Sequence, residues 1–306
     1  MTRMGPARCV EGLRVGYACV NTRLPSSSRT LRLAGMTSER LRELIEANLA
    51  ALEAILRWNE REGIRVFRLT SNLVPFGSHP ANGLEWWKEF APRLAELGRQ
   101  MRAGAMSIST HPGQFTVLSS ARPDVVEAAL AELEYHDRLL EAFGLDQSHK
   151  VVLHVGSGAA DPDQAFVRFE AGFQRLSPGA ARRLVLENDE RWPLEPVLAL
   201  AERLALPVVF DLFHHQLAPS LHGLGLRDLV QRAAETWQEQ DGRQEVHFST
   251  QAAGKRPGAH ADEVDLTEFG RFVDEIGDLP LDCIIEVKDK ERSVLRAQEL
   301  LLHARR

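Results

Sequence analysis

Histidines and carboxylates recur at the ends of short β-rich runs in this chain: His79, His111, His154, Glu187, Asp211 with His214, His247 with His260, and Glu286. Leu186-Glu187-Asn188-Asp189 sets Glu187 where an apolar run stops, Phe210-Asp211-Leu212-Phe213-His214 does the same for Asp211, and Ile284-Ile285-Glu286-Val287-Lys288 embeds Glu286 within another. A carboxylate in such a place is costly to bury unless a cation or a donor compensates it. Imidazole and carboxylate ligands without thiolate suit Mn²⁺ or Zn²⁺, and are too rich in nitrogen for a Mg²⁺ or Ca²⁺ site. The set exceeds what one ion uses, so two or three divalent ions are expected, with Glu187 as the bridge. Such ions activate a water and neutralise the leaving oxygen of a phosphodiester, which makes hydrolysis the expected chemistry. No serine elbow, Cys/His pair or glycine-rich phosphate loop competes as a reaction centre.

Each residue also has a plainer reading. A single histidine after a strand can donate a structural hydrogen bond, Asp211 can cap the next turn, Glu187 can pair with an arginine, and His214-His215 can be a surface loop. Metal is favoured because the whole set falls on one face of one architecture. His136, His149, His222 and His303 lie in helices or connecting segments and are read as structural.

That architecture is an α/β fold, a single (β/α)₈ TIM barrel. Strands are expected near Leu13–Ala18, Ile64–Leu69, Gly104–Ser109, Val151–Val155, Leu184–Leu186, Val208–Phe210, Glu245–Ser249 and Cys283–Val287. Amphipathic stretches separate them. After Thr37, Leu41, Leu44, Ile45, Leu49, Leu52, Ile55 and Leu56 recur at helical spacing, with Thr37 as the cap and Gly63 as the stop. Further helices are expected over Trp86–Met101, Pro123–Phe143, Asp163–Gln174, Leu194–Leu204, Leu226–Gln238, Thr267–Ile276 and Lys290–His303. The longer irregular stretches Asn21–Met36, Ser71–Leu84, Phe213–Leu224 and Thr250–Asp265 each follow a strand, where a barrel carries its catalytic loops. The alternative, an open doubly wound sheet, wants a glycine-rich first turn, whereas the first strand is followed by Cys19-Val20-Asn21.

One domain is expected over 1–306, with a flexible N-terminal stretch at 1–12. The 306 residues can bury one large core, and 44% hydrophobic with 26% charged residues is an ordinary globular composition. No run approaches a membrane span, and the N-terminal residues do not read as a secretory signal, so a cytoplasmic address without membrane association is expected. Cys9, Cys19 and Cys283 provide neither a disulfide framework nor a paired-cysteine zinc motif. With 37 Lys+Arg against 43 Asp+Glu, the net charge of −6 argues against a protein that coats nucleic acid, though not against a local basic groove.

An ordered series of motifs resembles the ultraviolet-damage endonuclease family and, more distantly, the endonuclease IV group of abasic-site enzymes. It runs through Val15-Gly16-Tyr17, Asn21, Arg29-Thr30-Leu31-Arg32-Leu33, Trp58-Asn59, Phe67-Arg68, Pro75-Phe76-Gly77-Ser78-His79-Pro80 and His111-Pro112-Gly113-Gln114. It continues through Leu186-Glu187-Asn188-Asp189-Glu190, Phe210-Asp211-Leu212-Phe213-His214-His215, Lys255-Arg256-Pro257-Gly258-Ala259-His260-Ala261 and Glu286-Val287-Lys288. The resemblance implies a trinuclear-metal barrel that nicks DNA 5′ to cyclobutane pyrimidine dimers and (6-4) photoproducts, leaving 3′-hydroxyl and 5′-phosphate ends, with Mn²⁺ as the metal. Its ligands fall on the histidines and carboxylates already named. Glu187, Lys255 and Glu286 are the implied catalytic set.

The family's lesion-probing pair falls on Gln114 and Phe115, where the second residue is commonly tyrosine; stacking survives that change and the hydroxyl is lost. Glu245 stands where a relative can carry a carbamylated lysine, and is expected as an unmodified metal ligand. Tyr17 and Asn21 look like contacts to the damaged nucleotides. Lys255, Arg256 and Arg68 are candidates for phosphate contacts, Arg68 having an interior ion pair as its alternative, and Lys288 is either a phosphate clamp or a counter-ion to Glu286. Trp86-Trp87 is read as packing. The implied partner is damaged double-stranded DNA, and a monomer is the simpler expectation. Competing readings are an abasic-site endonuclease, a metal-dependent sugar isomerase, which has little use for a wedge beside His111, and a non-catalytic metal-stabilised DNA-binding scaffold.

Overall fold

Short runs of Val, Ile, Leu and Phe too brief to be helices become strands, and the longer amphipathic runs between them become the helices that cover those strands. The computed structural model describes residues 12–158 and 160–303, so most of the stretch expected to be flexible lies outside the described residues. In chain order the elements are β1 (Arg14–Cys19), α1 (Ser38–Arg61), β2 (Val66–Leu69), α2 (Trp86–Glu89), α3 (Ala91–Ala103), β3 (Ser107–Thr110), α4 (Pro123–Ala142) and β4 (Lys150–His154). Then follow α5 (Pro162–Phe173), α6 (Pro178–Arg183), β5 (Leu184–Glu187), α7 (Leu194–Leu204), β6 (Val208–Asp211), α8 (Leu212–Leu217), α9 (Leu226–Ala234), β7 (Gln244–Phe248), α10 (Leu266–Ile276), β8 (Leu281–Ile285) and α11 (Glu291–His303). All strand pairs are parallel, neighbours in sequence are neighbours in space, and β8 closes on β1 through Arg14 opposite Asp282. This is the expected (β/α)₈ barrel. Among the described residues no helix is long and apolar enough to cross a membrane.

Strand side chains alternate between barrel interior and helix layer, so parity decides what reaches the centre. Contacts between strands that are not neighbours identify the inward set. At the bottom, Arg14 of β1 donates to Ser107 of β3 at 2.6 Å and pairs with Asp282 of β8. The middle is apolar, with Ala18, Val66 and Ile284 on one side and Val152, Val185 and Val209 on the other. Two residues further along these strands stand Arg68, His154, Glu187, Asp211 and Glu286. The opposite parity feeds the large outer core, where Tyr17, Phe67, Leu153, Leu186, Phe210 and Phe248 pack with the helices.

The helix boundaries follow local chemistry. The Thr37 hydroxyl accepts from Arg40 N at the start of α1, and Gly63 (φ +70°) lies just beyond its end, both as expected. The run Trp86–Met101 is two helices rather than one, because the Pro92 ring would strike the Lys88 carbonyl of a continuous helix. α6 is an addition to the expected helices, although Ser177-Pro178, a cap followed by proline at the first position, signals it. Part of the expected loop Phe213–Leu224 is helical, since the Asp211 carboxylate accepts from His214 N at 2.7 Å and starts α8. β8 ends at Ile285, so Glu286 stands just beyond the strand rather than inside it.

Gly16 is fixed by its neighbour. A Cβ there would lie 1.9 Å from the Val66 carbonyl oxygen, so β1 and β2 cannot close with a side chain at this point. Gly16→Ala is expected to destabilise the fold by about 1–3 kcal/mol, the usual range for overpacking. A urea midpoint equal to that of the wild type would contradict this.

Candidate metal centre at the barrel mouth

Glu187, the last residue of β5, is 1% exposed and occupies the middle of the mouth. One carboxylate oxygen lies 2.8 Å from His111 Nε2 and 3.5 Å from His154 Nε2, and the other contacts His247 Nδ1. Two donor sets therefore share this residue. His111, His154 and Glu187 bring one ligand atom each within 4.8 Å of one another, as do Glu187, Asp211 and His247.

Several features show that the donor atoms suit divalent ions. A carbonyl oxygen can only accept, so His111 Nδ1 donates to the Pro112 carbonyl at 3.0 Å and turns the other ring nitrogen towards Glu187. His260 Nδ1 likewise faces the Glu286 carbonyl at 3.0 Å. Asp211 Oδ2 is buried without a hydrogen-bond partner, while His154 Nδ1 and His214 Nδ1 face the Asp189 and Glu190 carboxylates at 3.5 and 3.3 Å. Buried orphan acceptors of this kind are the groups a cation satisfies.

The electrostatics are those of a crowded anionic site. Burial raises the Asp211 carboxyl to about 7, with Glu187 and Glu286 adding to the rise and His214 and His247 opposing it. For Glu187 burial works in the same direction, but His247, His154 and His111 outweigh it and hold the carboxyl well below its ordinary range. Burial would lower the His247 imidazolium; Glu187 overcomes that and the repulsion of Arg68, pushing it up to about 10. His154 goes down because burial dominates despite Glu187.

Around this centre Glu286 stays ionised against its burial because Arg68 and His247 face it, and its second oxygen lies 3.8 Å from His260 Nδ1. His214 sits edge-on to both His154 and His260. His79 is exposed on the loop after β2, where its Nδ1 accepts from Ala81 N at 3.1 Å and its ring meets Phe76. It lies outside both donor sets.

Geometry changes several of the expectations drawn from sequence. Tyr17 is fully buried because its parity sends it outwards against Trp58 and Phe67, and its hydroxyl donates to Asn59 at 2.6 Å. Asn21, buried as well, donates to that hydroxyl at 3.1 Å, so both polar groups are engaged inside the protein. Arg68 takes the interior ion pair of its two readings: it is 4% exposed, with its guanidinium on Glu286 and 3.4 Å from Glu245. Glu245 lies beneath His247, accepting from Nε2 at 2.9 Å, and is outside both three-ligand sets. Lys288 pairs with Asp262 rather than with Glu286.

Asn188 stands out in the sequence only as part of a motif, yet its side chain joins two strands. Its oxygen accepts from Asp211 N and its amide donates to Asp211 O, each at 2.9 Å, which locks the ends of β5 and β6 together and sets Glu187 against Asp211. The signal in the sequence is an amide directly after a strand-end carboxylate.

Beyond the cluster a groove of about 670 Å³ opens past His154 and His214, bordered by Gln114, Arg191 and Arg256. Gln114 and Phe115 form the tip of a turn closed by Thr116 N on Gly113 O at 2.9 Å, and Phe115 is 81% exposed. Lys255 and Arg256 are exposed on the loop between β7 and α10.

Comparison with known proteins gives a consistent result. Residues 13–304 match the family described as UV-endonuclease UvdE. The UV DNA damage endonuclease of Clostridium perfringens is 33% identical over 93% of this chain and 69% of its own length. The UV-damage endonuclease of Schizosaccharomyces pombe is 34% identical over 92% of this chain, which spans 49% of that protein. The crystal structure of SacUVDE superposes with a TM-score of 0.90 at 34% identity, covering 96% of this chain and 99% of that one. Endonuclease IV from Thermus thermophilus, with a TM-score of 0.59 at 14% identity over 95% and 99% of the two chains, shares the fold.

An ion held by the Glu187, Asp211 and His247 set would displace protons from His247 and Asp211, so its binding is expected to strengthen as pH rises through about 7 and on towards about 10. Calorimetric titration with Mn²⁺ from pH 6 to 9 checks this. An affinity that is flat or falls over that range would contradict it.

Proposed function

We propose, on the premise that the chain belongs to the UV-endonuclease UvdE family, that its barrel mouth nicks duplex DNA on the 5′ side of ultraviolet photoproducts, leaving 3′-hydroxyl and 5′-phosphate ends. The observation that carries this reading is the two donor sets sharing Glu187, beside a groove lined by His154, His214, Gln114 and Thr116, with the exposed Phe115 between the last two in the chain. Exposing an entire phenylalanine ring in water has a cost that a stacking partner recovers.

The proposed ligands are His111, His154, Glu187, Asp211 and His247, with His214, His260 and Glu286 adjoining. These residues would hold two or three Mn²⁺ ions, which would supply charge neutralisation and an activated water for hydrolysis of the phosphodiester. Glu187 ties the two donor sets together, and Asn188 keeps it in register with Asp211. Glu245 and Arg68 orient His247 and balance Glu286 from below, so that the carboxylates keep their geometry before substrate arrives. Lys255 and Arg256 contact phosphates. Gln114 and Phe115 enter the duplex at the lesion, with Phe115 stacking and without the hydrogen bond a tyrosine would add.

Metal-loaded protein is expected to nick an irradiated duplex and spare an undamaged one; equal cutting of both, or cutting only at abasic sites, would contradict the photoproduct reading. Glu187→Gln is expected to lower the nicking rate by more than the roughly 10–100-fold that follows loss of an outer partner of a metal ligand. Phe115→Ala should instead weaken binding to damaged duplex by roughly 5- to 150-fold, the worth of about 1–3 kcal/mol of stacking per base. Full turnover in the Glu187 variant would remove it from the centre.

A further inference from the structure

The turn after β5 assigns each of its side chains a separate task, and one charge remains unused. Asn188 splices β5 to β6, as described above. Asp189 accepts from Arg191 N at 2.8 Å and Trp192 N at 2.7 Å, while its other oxygen faces His154 Nδ1 at 3.5 Å. Glu190 faces His214 Nδ1 at 3.3 Å. Trp192 is buried, stacks on Phe166 and donates from its indole nitrogen to Gly156 O at 2.9 Å. The backbone at position 191 is thus held from both sides, while the Arg191 side chain is exposed at the groove and joins no ion pair among the described residues.

The loop carrying Arg256 is built up against this turn. Gly258 has φ +82°, a backbone conformation that favours glycine, and lies against the Glu190 side chain. Gln251 holds the loop from inside, donating to Arg256 O at 3.0 Å and accepting from Gly258 N at 2.9 Å. Two backbones therefore carry arginines to one groove, while Asp189 turns an oxygen towards His154 and Glu190 turns one oxygen towards His214 and the other towards Gly258, and neither arginine joins an ion pair among the described residues. In a chain of net charge −6, such an arrangement suits a polyanion that must be held at this place against the overall charge.

We infer that Arg191, acting with Arg256, clamps the sugar–phosphate backbone of duplex DNA in the groove beside the metal centre. The guanidinium fork matches phosphate oxygens and reads charge rather than base sequence or damage. This inference rests on the DNA-cleaving function proposed above and adds a contact that is blind to the lesion, distinct from the probing turn at Gln114 and Phe115.

Fluorescence anisotropy tests it with metal-loaded protein and duplexes, damaged and undamaged, whose linkages near the cut are phosphorothioates. Arg191→Ala is expected to weaken both duplexes by the same factor and to reduce the slope of log affinity against log salt by about 0.9, the worth of one phosphate. Arg191→Lys should restore the slope, since charge rather than packing sets it. An unchanged slope and affinity in Arg191→Ala, or a loss confined to damaged duplex, would overturn the clamp while leaving the proposed function intact. Absence of salt-dependent binding by the wild-type protein to either duplex would overturn both.

Discussion

A single carboxylate, Glu187, is held out of water between three histidines, and the rest of the mouth is arranged around that fact. An isolated buried carboxylate would be costly by several kcal/mol or would take up a proton. Here it remains charged because His247, His154 and His111 face it, and the cost is transferred to Asp211, which burial and the neighbouring negative charges raise to about 7. The mouth is thus crowded with carboxylates, and Asp211 Oδ2 is left buried without a hydrogen-bond partner. That acceptor is of the kind a divalent ion satisfies. The chain is a metal-dependent DNA-repair endonuclease of the UvdE family, and this crowded anionic cluster is its candidate metal centre.

The barrel accommodates this by stacking layers of different character along its axis. A charged plug of Arg14, Asp282 and Arg243 closes the bottom, a valine and isoleucine layer seals the middle, and the titratable groups are confined to the top. Arg68 stands at the boundary. Its guanidinium, buried on Glu286 and Glu245, balances charge from below and leaves the upper faces of the donor sets open. Of its two readings from sequence, phosphate contact and interior ion pair, Arg68 takes the second.

Much of this was legible in the sequence, because strand ends are. Apolar runs stopping at Glu187 and Asp211 located the carboxylates, and the repeat of strand and helix located the shared face. Parity was less visible: Tyr17 lies near the end of β1, yet being one residue out of phase with Gly16 and Ala18 it points to α1 and bonds Asn59. Partner choice was not visible at all. Whether Arg68 reaches solvent, or Lys288 finds Glu286 or Asp262, depends on loop paths that no local pattern encodes. Asn188 and Arg191 are hidden for a related reason: their work is done through backbone locks and through the occupation of neighbouring carboxylates, which appear only when the turn is seen entire.

The central claim is that Glu187 is the shared ligand on which the centre is assembled. Anomalous diffraction from crystals soaked in Mn²⁺ tests it most directly. The account predicts at least two peaks at the mouth within coordination distance of Glu187, one also contacted by His111 and His154 and the other by Asp211 and His247. Peaks that avoid Glu187, or a single ion held by His214, His260 and Glu286 alone, would contradict it.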